Sequence, residues 1–263
     1  MTVKQVIGHA AFVGFAEFKH VYTLKTWLTG WMLRLVSQVV FFGLVGKMAG
    51  DHITAEYVLL GNAVTVIAIE ATLVITTATL ERFQGTYPML IVSPTNMGLV
   101  YLGRGLHWVV AGLGSSVLVF ALVWGLFRPD WNWRAAVAAL PCLALIGISA
   151  YAYGTFLAAC SLRHHKFRWL YLNFGFTLLM TFCGANVPRS FWPAPIEWAT
   201  EVLPLTHGLT AMRTLAAAGP FSDVVGQLGL EVCVAGLWAA LTLVFFERIA
   251  GKGRRDGSLN FTS

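Results

Sequence analysis

The stretch Tyr57-Val58-Leu59-Leu60-Gly61-Asn62-Ala63-Val64-Thr65-Val66-Ile67-Ala68-Ile69-Glu70-Ala71-Thr72-Leu73-Val74-Ile75-Thr76-Thr77-Ala78-Thr79-Leu80 carries a single charge, Glu70. As a helix rising 1.5 Å per residue it extends about 36 Å, more than the ~30 Å hydrocarbon layer of a bilayer. Acidic and basic residues flank it: Asp51 and Glu56 before, Glu81 and Arg82 after. Outward from this run, comparable apolar segments occur at 27–46, 99–127, 135–161, 169–186 and 224–246. They account for a chain of 263 residues that is 57% hydrophobic and only 11% charged, where a soluble domain carries about 25% charge. The predicted fold is an all-α integral membrane protein of six transmembrane helices, a single membrane domain over 1–263.

An even number of spans puts both termini on one side. Calling that side the cytosol gathers Lys4, Lys19, Lys25, Arg34, Arg82, Arg104, Arg163, Lys166, Arg168, Arg248, Lys252, Arg254 and Arg255 at cytosolic ends. Lys47, Arg128, Arg134, Arg189 and Arg213 remain outside, thirteen basic residues against five, and the positive-inside rule chooses this orientation. Most acidic loop residues (Asp51, Glu56, Asp130, Glu197, Glu201, Asp223) fall outside. The net charge of +6 is therefore spread along one membrane face. It forms no dense patch of the kind that binds nucleic acid. The tail Gly251-Lys252-Gly253-Arg254-Arg255-Asp256 reads as a solvated cytosolic end touching lipid headgroups.

The N-terminal residues 1–26 mix Val6, Ile7, Phe12, Val13, Phe15 and Phe18 with His9, Glu17, Lys19 and His20. Charges interrupt any signal-peptide core, and no small-residue cleavage site follows, so the segment reads as a helix lying on the membrane surface. Cys142, Cys160, Cys183 and Cys233 lie in apolar stretches without metal-ligand spacing and read as packing residues. Residues 187–223 are apolar but broken by Pro188, Pro193, Pro195, Pro204 and Pro220. Two short helices, 196–203 and 206–218, fit between the prolines as a re-entrant hairpin dipping into the outer leaflet before the last span. Trp192 and Trp198 suit the interface there.

Between the second and third spans, 81–98 contains Glu81-Arg82-Phe83-Gln84-Gly85-Thr86-Tyr87-Pro88-Met89-Leu90-Ile91-Val92-Ser93-Pro94. Apolar residues at 87 and 89–92 are unusual in so short a polar link and require a packing partner. Thr86 is placed to cap a short amphipathic helix, Pro88 is tolerated in its first turn and Pro94 closes it.

In their order, Glu81-Arg82, Gly85-Thr86, Leu90 and Ser93-Pro94 resemble the cytosolic coupling segment of type-2 ABC exporter permeases. Pro204-Leu205-Thr206-His207-Gly208-Leu209 with Arg213 resembles their outer helical hairpin, and the likeness runs on into Gly257-Ser258-Leu259. It departs at Pro88, where such permeases often carry an acid. The resemblance implies that Glu81, Arg82, Gln84, Gly85, Thr86, Tyr87, Pro88, Leu90, Ser93 and Pro94 meet an ATPase. It further implies two ATP-binding ABC subunits, a second permease identical or homologous to this one, and a bacterial plasma membrane location. Gly-x-x-x-x-Gly-Lys-Ser/Thr is absent, so this chain is expected to bind no cofactor, and Mg-ATP belongs to the partner. By the same resemblance the cargo is a hydrophobic or amphipathic drug or natural product, as in antibiotic efflux, with a lipid-linked polysaccharide or glycolipid as the alternative.

Within the spans, Arg34 and Glu70 lie about 10 Å and 15 Å from the cytosolic ends of their helices. Their similar depths predict an ion pair, or a shared polar face on the translocation path. Trp31, Phe41 and Phe42 are candidates for the same path, and Pro204, His207 and Arg213 for the outer hairpin. Arg104 and His107 read as interfacial residues. Arg163-His164-His165-Lys166 reads as a basic loop. A competing class, an intramembrane hydrolase, would pair Ser115 or Ser149 with His107 or His207, yet those serines sit among small residues of the helix-packing kind.

Overall fold

Helices make up every regular element of the computed structural model, which describes residues 2–48, 52–129, 131, 135–163 and 167–256. The chain begins with α1 (Val3–Val21), closed at its start by a Thr2–Gln5 capping box. It continues through α2 (Leu24–Thr26), a π-helical segment (Trp27–Met32) and α3 (Leu33–Met48). There follow α4 (His52–Thr72), α5 (Val74–Phe83), α6 (Tyr87–Val92), α7 (Met97–Arg104) and α8 (Leu106–Phe127). The second half holds α9 (Ala135–Arg163), α10 (Arg168–Phe182), a short 3₁₀ turn (Arg189–Phe191), α11 (Ala194–Thr200), α12 (Thr206–Ala216) and α13 (Phe221–Asp256). Expectations placed on Asp51, Asp130, Arg134, His164, His165, Lys166 and Gly257-Ser258-Leu259 lie outside the described residues. So do those on the side chains of Arg82, Arg163, Arg168 and Arg255.

Among the described residues, five stretches are long and apolar enough to cross a membrane: Leu24–Met48, Ala55–Thr79, Met97–Phe127, Val137–Leu162 and Phe221–Arg254. The segment expected as a further span at 169–186 folds as α10, whose 15 residues reach about 22 Å. The expected solvated tail at 251–256 is instead the continuation of α13, a helix of 36 residues.

The apolar run at 57–80 lies at the centre. Val64, Val66, Ile67, Ala71 and Ile75 are fully buried, so protein surrounds this helix on all sides. Small residues let the neighbours approach. A Cβ on Gly61 would collide with Ala185 O, one on Gly147 would lie 2.7 Å from Ile67 Cδ1, and one on Gly154 2.9 Å from Thr72 Cα. This is the packing mode of membrane helices, where close backbone contact replaces the hydrophobic drive.

Two spans are broken where they cross. α4 passes into α5 at Leu73, where Thr72 donates to Ile69 O (2.8 Å) and Thr76 to Leu73 O (2.6 Å), hydroxyl bonds of the kind that bend helices. α7 passes into α8 at Gly105, where a side chain would meet Val74 and Tyr151. The Tyr151 hydroxyl of α9 answers that break, donating toward Tyr101 O (2.9 Å) and Leu102 O (3.0 Å).

Replacing Gly61 by Val should cost about 1–3 kcal/mol through overpacking. Gly114→Ala, with nothing within 4 Å of its Cβ position, should leave stability unchanged or slightly raised. Thermal unfolding of the detergent-solubilised chain distinguishes the two, and equal midpoints would disprove the close approach.

Candidate functional site

At one end of the bundle α5 stops in a Schellman turn. Gly85 adopts φ +73°, and Thr86 N donates to Glu81 O at 3.0 Å, the six-to-one bond of that motif. No atom crowds Gly85, so glycine is required there by backbone conformation alone. The Thr86 hydroxyl also turns back to Glu81 O (3.1 Å) and makes no forward cap to α6, contrary to the capping role expected of it. Pro88 sits in the first turn of α6 and extended Ser93 ends it, as the sequence predicts.

The far end of α6 is held from a distance of more than 160 residues. Arg254 of α13 donates to Ile91 O (2.8 Å) and Ser93 O (2.9 Å), satisfying carbonyls the helix end leaves free. Glu247, one face of α13 below, accepts from Asn96 (3.2 Å) and lies 4.0 Å from Arg254. Ile91 is buried among Tyr101, Phe246 and Ala250, and the rings of Tyr101 and Phe246 stack at 4.5 Å. Tyr87 and Leu90 pack on the same cluster. Met89 and Val92 face outward, 72% and 65% exposed, beside exposed Gln84, Gly85 and Pro94.

Glu81 is buried, and its carboxylate meets Arg104 Nη1 at 2.5 Å. Arg104 also pairs with Glu17 of α1, so one guanidinium bridges two acids on separate elements. Burial pushes the Glu81 carboxyl above its usual range, and the Arg104 charge opposes that rise. Arg104 is thus the bridge between α1 and α5, not an interfacial residue. The approach of α1 depends on glycines: a Cβ on Gly14 would collide with Arg104 O, and one on Gly103 would lie 2.7 Å from Ile7 O.

Nearer the bundle centre, a cavity of about 370 Å³ opens among the π-helical segment, α3, α4, α5, α8 and α10, with Trp27, Trp31, Arg34 and Trp108 in its wall. Trp31 Nε1 donates to Glu70 Oε1 at 3.0 Å, and Ser115 Oγ donates to the same oxygen. Arg34 lies over the Trp31 ring, 5.0 Å from its centroid. The expected Arg34–Glu70 ion pair does not form: Trp31 stands between them, bonded to one and stacked under the other. Phe41 and Phe42 meet edge to face, their centroids 5.4 Å apart, and lie outside this cavity.

At the opposite end the Pro204–Leu209 segment is organised by Glu231, a fully buried acid of α13. Its two oxygens accept from Leu205 N (3.0 Å) and Gly208 N (2.9 Å), placing a carboxylate at the N-terminus of α12 where the helix dipole favours it. Leu205 adopts φ 80° to present its amide, and a side chain on Gly208 would collide with Ile146. His207 bonds Gln227 Oε1 (3.0 Å) and Glu201 O (3.1 Å). Arg213 lies 3.4 Å over the Tyr57 ring and donates to Gly184 O at 2.6 Å. Burial pushes its guanidinium down to about 10, leaving it charged at neutral pH.

Sequence reasoning misses Glu17, Arg104, Glu231 and Arg254. Only Glu231, an acid in mid-span, carries a readable signal. Among the described residues the serines proposed for a hydrolase have no histidine partner: Ser115 bonds Glu70, His107 faces Arg104 O at 3.1 Å, and His207 is engaged as above.

Residues 17–216 match the family profile described as ABC-2 type transporter. Relatives of similar extent are Nodulation protein J of Rhizobium leguminosarum bv. trifolii, 25% identical over 73% of this chain and 72% of that protein, and Nodulation protein J of Rhizobium meliloti (strain 1021), 25% identical over 75% and 77%. Nodulation protein J of Neorhizobium galegae is 23% identical over 82% and 78%.

Arg104→Ala leaves the Glu81 carboxylate buried without a cation and should cost about 3 kcal/mol. Adding Glu81→Ala should restore most of that loss in thermal unfolding, and equal loss in single and double variants would rule out the pairing. Arg254→Ala should speed amide hydrogen exchange across 87–93 on the order of ten-fold, read by mass spectrometry. Unchanged exchange would show that α6 does not depend on α13.

Proposed function

The chain belongs to the ABC-2 type transporter family, and on that premise we propose that it is the permease subunit of an ATP-driven exporter whose ATP is hydrolysed on a separate chain. The observation that carries this is α6. It is a two-turn helix fixed at its start by the Schellman turn and at its end by Arg254, with Met89 and Val92 directed away from the bundle. Exposed apolar side chains on a rigid mount form the centre of a protein–protein contact. In this reading Glu81, Arg82, Gln84, Gly85, Thr86, Tyr87, Pro88, Leu90, Ser93 and Pro94 form the seat for the ATPase, which carries Mg-ATP. Two ATPases and a second permease, identical or homologous, complete the exporter.

In the proposed topology α10 and the turn after it make a sixth crossing, both termini are cytosolic, and α11 and α12 form a hairpin re-entering the outer leaflet of a bacterial plasma membrane. The burial of α12 against α9 and α13, with Glu231 and Arg213 neutralising its ends, supports a hairpin that tolerates apolar surroundings. The proposed cargo is amphipathic. The relatives' name refers to nodulation and lends no weight to a drug, so a hydrophobic natural product and a glycolipid or lipid-linked polysaccharide stand as two readings. The mixture of tryptophans with Arg34 and Asn173 in the cavity wall favours a cargo with a polar head.

Met89→Glu places a charge in the apolar contact and should weaken ATPase association by about 2 kcal/mol, roughly thirty-fold. Co-purification of the ATPase and ATP-dependent efflux should fall together while thermal stability holds. Undiminished association would remove α6 from the interface.

A further inference from the structure

We propose that the cavity beside the π-helical segment binds the anionic headgroup of an amphiphilic cargo through Arg34, with tryptophan rings as its walls. The inference rests on the exporter reading and names the chemistry that the exporter would select.

Arg34 is the cation of this cavity, and among the described residues no carboxylate lies within ion-pairing distance of it. Its guanidinium is held over the Trp31 ring, a contact that orients the charge and leaves its N–H groups available. Trp31 is itself fixed, because its Nε1 is committed to Glu70, which also accepts from Ser115. Glu70 therefore acts as a positioning residue: it sets the ring that carries the arginine. Of the wall's hydroxyls, those of Thr72 and Thr76 are already used. Thr72 and Thr76 donate to their own helix at 2.8 and 2.6 Å. Trp27 Nε1 is a buried donor with no acceptor. The Arg34 guanidinium thus faces a space lined largely by aromatic and aliphatic groups, with Asn173 Oδ1 an amide acceptor after its Nδ2 bonds Trp169 O (2.7 Å).

An anion with acceptor oxygens, such as a phosphate or carboxylate, completes this set. A cationic headgroup would add to the charge of Arg34, and a neutral alkyl chain would leave it unpaired in a region of low dielectric. The volume of about 370 Å³ accommodates a headgroup and the start of a chain, within the range of small-molecule sites. The π-helical turn supports the assignment, since such turns recur where a helix is shaped around a ligand. Both Trp27 and Trp31 lie in it.

The test uses the full chain in nanodiscs of phosphatidylcholine, with a dibrominated dodecyl phosphate that quenches tryptophan fluorescence on contact and its trimethylammonium counterpart as control. The phosphate probe should bind roughly ten-fold or more tightly than the control, the scale of one charge-assisted hydrogen bond. Arg34→Gln should abolish that preference and Arg34→Lys should keep part of it. Equal phosphate affinity in the wild type and Arg34→Gln would overturn the proposal. Repeating the titration in nanodiscs containing phosphatidylglycerol separates the sources: persistence of probe binding supports a cargo site, and complete competition assigns the cavity to bilayer lipid and overturns it. Binding needs no nucleotide. Arg34-dependent affinity with efflux untouched by Met89→Glu would reject the coupling reading alone, and the reverse pattern would reject this one alone.

Discussion

In hydrocarbon, a carbonyl or amide released by a break in a helix has no water to turn to, and the protein itself must supply the partner. That constraint orders this structure. Gly105 interrupts the third long apolar stretch and the Tyr151 hydroxyl meets the freed carbonyls. The turn after α10 frees Gly184 O, and Arg213 and Tyr57 both donate to it. The left-handed turn at Leu205 frees two amides and Glu231 takes both. The same fastening recurs at α6, which lies outside the five apolar stretches, where Arg254 takes the end carbonyls. Polar side chains are thus concentrated at helix breaks, and the places where the backbone departs from regularity are the places where distant elements are fastened together.

This pattern explains what could be read from the sequence. Apolar runs and their punctuation are local, so the central run at 57–80, the short helix after Thr86 and the two helices between the outer prolines are legible, as is the amphipathic α1. Thr86 reads as the cap of the helix that follows, whereas its hydroxyl and amide both point back to Glu81 O. The partners were not legible, because each lies far along the chain: Arg254 is 163 residues from Ile91, and Tyr151 is 50 from Tyr101. Depth along a helix could be counted for Arg34 and Glu70, but the direction each faces could not. The π-helical segment, which no residue pattern announced, turns Trp31 into the gap between them. α10 was read as a full span from hydropathy, whereas its 15 residues stop at the turn that Arg213 secures.

Electrostatically the two ends of the bundle use the same device with opposite signs. At the α6 end a single guanidinium, Arg104, joins carboxylates from α1 and α5, so the surface helix and the end of the central helix share one buried charge. At the other end a single carboxylate, Glu231, joins two amides of α12. Arg104 offsets part of the charge of its two acids, two backbone amides stabilise the Glu231 carboxylate, and each arrangement requires glycine at the point of closest approach, Gly14 and Gly103 in one case and Gly208 in the other.

α13 carries a clamp near each end. Glu231 and Arg254 stand 23 residues apart on one unbroken helix, about 35 Å at the rise of an α-helix. A strut of fixed length therefore joins the Leu205 turn to the end of α6, with no break in the helix between the two fastenings.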